Sequence, residues 1–142
     1  MKKLNHYLVY ASLITLSANG QVNATPTSTI QNINVMNTDK LTNPIVKKAI
    51  DAFQAGDKKA WFALFTDDAE LFDDGNKINF NNFSEEALGH EHFTSIDKVE
   101  NNSLNIYGKF HSDKWGNFKT YFKFTLNAEG KISRLEIGQA SY

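Results

Sequence analysis

Two short stretches of the sequence carry side chains of the types that bind metal ions. One is His90-Glu91-His92, and the other is the acidic segment from Asp67 to Asn76. Imidazoles at positions i and i+2 of a helix point about 200° apart and cannot coordinate one ion. On a strand they would still need a third ligand, and the sequence shows none. The acidic residues do not follow the alternate spacing of a calcium loop. We therefore predict no metal site and no cofactor.

Other motifs that carry catalysis do not occur in the sequence. No Ser or Cys lies in a nucleophile elbow, there is no HExxH motif, and no glycine-rich loop could cradle a phosphate. Asp73 ends the alternating run Ala69-Glu70-Leu71-Phe72-Asp73 and precedes the turn signal Asp74-Gly75-Asn76. Taken by itself, Asp73 is interpreted as the solvated end of a strand.

The composition limits the class of protein. A chain of 142 residues suffices for one ordinary domain, and 41% hydrophobic with 22% charged residues is typical of a folded protein. The eleven Phe predict an aromatic interior. A formal net charge of -1 provides no basic surface, so nucleic-acid binding is not predicted.

Residues 1–24 have the features of an export signal. Lys2-Lys3 provides a positive start, residues 8–16 are mostly apolar, and Val22-Asn23-Ala24 is a small-x-Ala cleavage site. The apolar run is shorter than the about 20 residues needed to span a bilayer. Cleavage after Ala18 and a retained N-terminal anchor are the alternatives. We expect a periplasmic or secreted protein that has no membrane contact once the signal is removed.

The chain after residue 24 is predicted to consist of an arm and a domain. Residues 25–42 are rich in Thr, Asn and Ser without a sustained period, which predicts a flexible arm. The domain is expected over residues 43–142. Asn43-Pro44 is a helix start, with Asn as the N-cap and Pro at the first helical position. One buried helix face is predicted from the spacing of Ile45, Val46, Ala49, Ile50 and Phe53.

The stretch from Ala52 to Leu71 predicts a corner between two helices. Gly56 can end the first helix in the left-handed conformation, and Asp57 can cap the next one. The second helix has a broad apolar face that includes Trp61, and a strand is predicted to follow over residues 70–73.

A third helix is predicted to begin at Ser84. Ser84 would be its N-cap, and Glu85 and Glu86 would lie in the first turn, where the helix dipole favours negative charge. Its inner residues would be Leu88, Phe93 and Ile96.

From Val99 onward, apolar residues alternate with polar ones, which predicts strands. Ile132 is out of phase with Leu135 and Ile137, and this predicts a bulge near Ser133. The predicted strands are residues 104–111, 118–126 and 131–140. Residues 112–117 are predicted to form the hairpin turn between the first two. Helices followed by such strands predict an α+β fold, with helices packed on one face of a curved antiparallel sheet.

Two segments resemble the NTF2-like superfamily, which includes ketosteroid isomerase and the SnoaL-like cyclases and has a cone-shaped, cystatin-like α+β fold. They are AGDKKAWFALFTDDAEL, at residues 55–71, and FKFTLNAEGKISRLEIG, at residues 122–138. The resemblance extends from about Asn43 to Ala140 and implies this fold for the whole domain. Because unrelated functions share the fold, the resemblance does not determine the activity.

The resemblance also implies which residues would carry isomerase chemistry. Asp73 matches the general-base aspartate of ketosteroid isomerase, whereas the two hydrogen-bond donors of its oxyanion hole match Ala49 and Phe122, which cannot donate. Because one such donor is worth about 3 to 4 kcal/mol, steroid isomerisation is not predicted. Asp73 could still serve as the base of a SnoaL-like reaction if neighbouring aromatic side chains raise its pKa.

We therefore predict an exported NTF2-like domain that binds a small apolar ligand without catalysis. Asp73 would orient the ligand in a cavity lined by Phe53, Trp61, Phe65, Phe72, Phe93, Phe122 and Ile137. The same aromatic side chains could instead simply fill the core.

Two alternatives remain. The first is an acid/base enzyme that uses Asp73. The second is an interaction module that dimerises through the outer face of the sheet, although tyrosines and lysines are also typical of an ordinary solvated surface. The residues expected on this face are Tyr107, Lys109, His111, Tyr121 and Lys123.

Overall fold

The computed structural model describes residues 36–142 and builds them from helices on one side of a single sheet. The helices are α1 (Pro44–Ala55), α2 (Lys58–Ala63) and α3 (Phe80–Ala87). The strands are β1 (Phe65–Asp73), β2 (Asn76–Ile78), β3 (Glu91–Glu100), β4 (Asn105–Ser112), β5 (Gly116–Leu126) and β6 (Ile132–Gln139). The predicted export signal and the first part of the predicted arm lie outside the described residues.

The six strands form one sheet in the order β2-β1-β6-β5-β4-β3. Strand β6 lies between β1 and β5; it pairs parallel with β1 and antiparallel with β5. The other neighbouring strands pair antiparallel. The predicted α+β class is therefore confirmed, but the sheet is mixed instead of wholly antiparallel.

The predicted corner between the first two helices is confirmed. The Asn43 side chain accepts hydrogen bonds from the first turn of α1, and Pro44 is the first helical residue. Gly56 ends α1 with φ of 64°, a conformation that costs glycine little because it has no Cβ. The Asp57 side chain then accepts a 3.0 Å hydrogen bond from the Ala60 amide and starts α2.

The third helix differs from the prediction at both ends. It is capped by Asn79, whose side chain accepts a 2.8 Å hydrogen bond from the Asn82 amide, and not by Ser84. It ends before Gly89, which has φ of 87°. The chain then enters β3, so Phe93 is on a strand.

The residue pairing of β3 explains this difference. Predicted helix residues Phe93 and Ile96 lie opposite Phe110 and Gly108 of β4, and both are buried. Apolar residues three apart suit a helix, but register shifts within β3 bring Phe93 and Ile96 to the same side of a strand. Pairing with β4 therefore overrides the local helical period.

Aromatic side chains fill the space between the helices and the sheet. The Phe53 ring centroid lies 5.2 Å from that of Trp61 and 5.4 Å from that of Phe122. Trp61 in turn lies 4.6 Å from Phe65. Phe53 thus connects α2 to the middle of the sheet, as expected for an aromatic interior.

The pairing of β5 with β6 contains the predicted irregularity. Thr125 lies opposite Arg134, whereas the next residue, Leu126, lies opposite Ile132. Ser133 is therefore the extra residue of a bulge, as the out-of-phase position of Ile132 predicts.

The packed part of the chain begins before the predicted domain start at residue 43. Leu41 is only 4% exposed and belongs to the core. The Thr38 hydroxyl donates a 2.8 Å hydrogen bond to Asp51, and the Thr42 amide donates one of the same length to Ser103. Residues 38–42 are therefore held to α1 and to the β3–β4 turn.

Within residues 36–142, every helix is too short or too polar to cross a membrane.

Candidate functional site

A cleft opens between α3 and the hairpin that joins β4 to β5. It consists of two adjoining hollows of about 630 Å³ and about 420 Å³. Both are lined by Asp73, Phe83, Glu91, Trp115 and Phe118. Because these residues belong to both hollows, they form one continuous wall that combines aromatic rings with two carboxyl groups.

Asp73 reaches the cleft because it is the last residue of β1. Side chains alternate along a strand, so Asp73 lies on the same face as the buried Leu71. Although much of Asp73 is exposed, partial burial raises the pKa of its carboxyl, and the charge of Asp74 raises it further. Among residues 36–142, no side chain donates a hydrogen bond to this carboxylate.

Glu91 is the second carboxyl group on the wall shared by the two hollows and begins β3. The Ser112 hydroxyl donates a 2.8 Å hydrogen bond to its Oε1 atom. Burial raises the pKa of Glu91, the Ser112 hydrogen bond opposes this, and the charges of Asp73, Asp113 and Glu86 raise it again. Two carboxyl groups on one wall therefore both hold protons more tightly than solvated side chains.

Glu91 has no role predicted from the sequence, because the pattern His90-Glu91-His92 suggests only a metal motif. Its position follows once the residues are assigned to a strand, since Glu91 then lies on the same face as the buried Phe93. The detectable signal was a glutamate two residues before a core phenylalanine.

Asp113 and two histidines hold the rim of the cleft. His90 Nδ1 lies 3.0 Å from Asp113 Oδ2, and His111 Nε2 lies 3.4 Å from Asp113 Oδ1. The Asp113 amide donates a 3.0 Å hydrogen bond to the His90 carbonyl. The hydrogen bond from His90 is the main cause that lowers the pKa of Asp113.

No cluster of three or more metal-binding side chains occurs within the described part of the chain.

Trp115 is at the tip of the hairpin and is 69% exposed. Its indole ring nevertheless lines both hollows, and the Lys114 ammonium lies 4.8 Å from the ring centroid. The sequence predicts Trp115 in a hairpin turn and predicts no role for it. An exposed tryptophan beside an open cleft is well placed to contact a ligand, because its large ring is not used by the core.

The seven residues predicted to line a cavity separate into three groups. Phe122 and Ile137 line the smaller hollow. Phe72 instead lies on the outer face of the sheet, because it alternates with Leu71 and Asp73, and the Arg134 guanidinium covers its ring at 3.9 Å. The remaining four are core residues that line neither hollow: Phe53, Trp61, Phe65 and Phe93.

The positions that match the oxyanion donors of ketosteroid isomerase are inside the core. Ala49 and Phe122 are both buried and have no hydrogen-bond donor in their side chains. Asp73 therefore lies in a cleft without donors at those two positions.

The outer face of the sheet has the tyrosines and lysines predicted for it. Tyr107 of β4 lies directly opposite Tyr121 of β5. Lysine ammonium groups lie over both rings, Lys98 at 5.1 Å and Lys123 at 4.9 Å from the respective centroids. The rings are therefore partly covered within the chain itself.

Three solved structures illustrate what the fold is similar to. An Orange Carotenoid Protein from Anabaena (Nostoc), which binds canthaxanthin, matches with a TM-score of 0.56 and 18% identity over 70% of this chain. An NTF2-like protein of unknown function from Cytophaga hutchinsonii matches with a TM-score of 0.57 and 10% identity, covering 70% of this chain and 89% of that one. A SnoaL-like protein of unknown function from Burkholderia thailandensis matches with a TM-score of 0.54 and 15% identity, covering 73% of this chain and 98% of that one.

These similarities establish the fold. The chain has the NTF2-like, cystatin-like α+β architecture that its sequence predicts. It spans only 36% of the length of the Orange Carotenoid Protein. No protein-family model and no curated protein matches the sequence.

Proposed function

We propose that this domain binds a small molecule and does not transform it. The observation that carries the proposal is the cleft, in which Trp115 and Phe118 share a wall with Asp73 and Glu91. Its larger hollow of about 630 Å³ is within the range of about 300 to 1,000 Å³ that is usual for small-molecule sites. The ligand would rest its apolar part on the aromatic rings.

The polar part of the ligand is expected to donate hydrogen bonds. Asp73 receives none from residues 36–142, and Glu91 receives its side-chain hydrogen bond from Ser112 alone, so oxygen atoms of both carboxyl groups remain available. A carboxylate accepts hydrogen bonds and binds an amine or a hydroxyl group more favourably than an anion. A flat apolar molecule with an amino group therefore fits the cleft better than one with a carboxylate.

Similarity to a carotenoid-binding protein is compatible with an apolar ligand, although that similarity concerns the fold alone. The absence of donor side chains at Ala49 and Phe122 favours binding over enolate chemistry, because the developing negative charge of an enolate would lack stabilisation there. Binding therefore requires fewer assumptions than catalysis.

A matched pair of probes tests the proposal. Titration of the protein with 1-naphthylmethylamine and with 1-naphthoic acid, followed by calorimetry, should show saturable binding of the amine that is at least about tenfold tighter. Asp73→Asn should reduce this preference. Trp115→Ala should weaken binding of the amine, whereas Tyr142→Ala, which removes an exposed aromatic ring that packs beside Tyr107 and lines neither hollow, should not. Equal affinity for both probes, or no saturable binding, would contradict the proposal.

One observation favours acid/base catalysis as the second candidate. The carboxyl groups of Asp73 and Glu91 share a wall and both have raised pKa values, which is common for catalytic acids and bases. Proton exchange at a carbon acid, measured by deuterium incorporation into a bound ketone, would support catalysis if Asp73→Asn abolished it. Unchanged exchange in Asp73→Asn would exclude Asp73 as the base.

Export to the periplasm or the medium is the second part of our proposal. The support is the positively charged start and the apolar run of residues 1–24. Expression of the full chain in a Gram-negative host should yield a periplasmic protein whose mass corresponds to cleavage after Ala24. An uncleaved protein in the cytoplasm would contradict this part without affecting the ligand site.

A further inference from the structure

The Ser112 hydroxyl connects the interior of the cleft to its rim. Ser112 is fully buried at the end of β4, and its hydroxyl donates a 2.8 Å hydrogen bond to Glu91 Oε1. Its oxygen accepts hydrogen bonds from the amides of Lys114 at 3.3 Å and of Trp115 at 3.2 Å. A hydroxyl has one donor and two acceptor positions, so all of them are used.

We propose that Ser112 is a positioning residue that couples the Glu91 carboxyl group to Trp115, so that these two parts of the cleft wall respond together to a ligand or a proton. The proposal rests on the proposed function for the ligand itself, whereas the coupling belongs to the protein alone and can be measured without a ligand. Ser112 thereby links the polar contact of the cleft to its most exposed aromatic ring.

The coupling follows from the hydrogen-bond capacity of the hydroxyl. When Glu91 is ionised, it can only accept, so the Ser112 proton is directed at Oε1 and both acceptor positions face the two amides. This charge-assisted hydrogen bond is about twice as strong as a neutral one. Protonated Glu91 is a weaker acceptor and can itself donate to Ser112, in competition with the amides. The turn that holds Trp115 then loses part of its support.

The charges around Glu91 move its protonation to higher pH. Asp73 of β1, Glu86 of α3 and Asp113 of the hairpin all face it and favour the protonated form. The basic side chains that line the same hollow are Lys114 and His90, and the His90 imidazole is paired with Asp113. Because burial acts in the same direction as the three acidic groups, Glu91 takes up a proton above the ordinary glutamate pKa.

The base of the hairpin has contacts of its own, so the proposed change concerns the tip. The Asp113 carboxylate pairs with His90 and with His111, and the Asp113 amide donates a hydrogen bond to the His90 carbonyl. These contacts do not involve Ser112. The structure therefore combines a fixed base with a tip whose support depends on Glu91.

Tryptophan fluorescence tests the coupling in the full chain. Emission is recorded between about pH 8 and about pH 4, a range that spans imidazole and carboxyl titration. Trp115→Phe identifies the contribution of Trp115, because the other tryptophan, Trp61, is fully buried. We expect a change in Trp115 emission with a midpoint above the ordinary glutamate pKa.

Variants assign this transition to its residues. Glu91→Gln and Ser112→Ala should abolish the change in Trp115 emission, whereas Ser112→Thr, which retains a hydroxyl, should preserve it. Glu86→Gln should preserve it as well, with a midpoint displaced to lower pH because one neighbouring charge is removed. Far-ultraviolet circular dichroism confirms that each variant is folded.

Two outcomes would overturn the coupling. The first is an unchanged transition in Glu91→Gln or Ser112→Ala. The second is its loss in a His90→Asn, His111→Asn double variant that retains Glu91, since the imidazoles would then cause it. Failure of the naphthyl probes to bind leaves the coupling intact, and loss of the coupling leaves binding intact, so the two proposals fail separately.

Discussion

The side-chain amide of Gln54 on α1 pairs with the main chain of Phe93 on β3 through two hydrogen bonds. Gln54 Nε2 donates to the Phe93 carbonyl at 2.9 Å, and the Phe93 amide donates to Gln54 Oε1 at 2.7 Å. Strand β3 is at the edge of the sheet and has a register shift between Phe93 and Ser95. Gln54 therefore satisfies main-chain groups that lack a neighbouring strand on that side.

Replacement of Gln54 tests this contact. Gln54→Ala leaves the amide and the carbonyl of Phe93 without their partner, and we expect it to lower the free energy of unfolding by about 2 kcal/mol. Gln139→Ala, at an exposed glutamine, is the matched control and should change stability by less than about 0.5 kcal/mol. Urea denaturation measures both. Equal effects of the two substitutions would show that the Gln54 contact does not stabilise the fold.

Ser84 stabilises the interior through a hydrogen bond to Trp61. The Trp61 indole Nε1 donates to Ser84 Oγ at 3.0 Å, and both side chains are fully buried. Ser84→Ala removes the acceptor and leaves a buried N–H without a partner, which should cost about 1 to 3 kcal/mol. Ser95→Ala, which removes an exposed hydrogen bond to Asp97, should cost far less. Comparable costs in chemical denaturation would exclude an important role for the indole hydrogen bond.

Glu91 should make stability depend on pH in a direction that its raised pKa determines. In the unfolded chain the Glu91 pKa is ordinary, and in the folded chain burial raises it. The folded state therefore binds more protons in the window between the two values, and the free energy of unfolding decreases as pH rises through that window. Above the folded pKa the full destabilising effect of the buried charge is present.

Glu91→Gln removes this charge and should therefore be more stable than the unmodified protein at neutral pH. Because the carboxyl group is partly solvated, the gain should be less than about 1 kcal/mol. It should shrink toward zero as pH falls below the ordinary glutamate pKa. Glu129→Gln, at an exposed turn position, controls for the loss of one surface charge. A gain that does not vary with pH would argue against the raised pKa as its cause.

The parts of the fold that sequence predicts are those with local signals. The Gly56–Asp57 corner depends on two residues with strong conformational preferences, and the bulge at Ser133 depends on the phase of Ile132 within its own strand. Strand β3 has no comparable signal. Its identity is set by pairing with β4, and this long-range pairing competes with a helical period in the same residues.

The cleft was only half predictable for a related reason. Asp73 was found through its resemblance to a known base, and it does line the cleft. Glu91 lies on β3, which is separated from β1 by three strands in the sheet. The folded arrangement of the sheet and α3 brings both residues to one wall. Sequence periodicity describes one element at a time and does not contain this information.

Phe72 provides a last test, because its side chain was expected in the cavity and is on the opposite face. The Arg134 guanidinium lies 3.9 Å from its ring centroid, and Arg134 Nε has no hydrogen-bond partner among the described residues. Phe72→Ala should remove this cation–π contact and lower the free energy of unfolding by about 1 kcal/mol. Affinity for 1-naphthylmethylamine should not change, whereas Phe118→Ala should weaken it by about tenfold, since Phe118 lines both hollows. Equal losses of affinity in the two variants would mean that the amine binds outside the cleft.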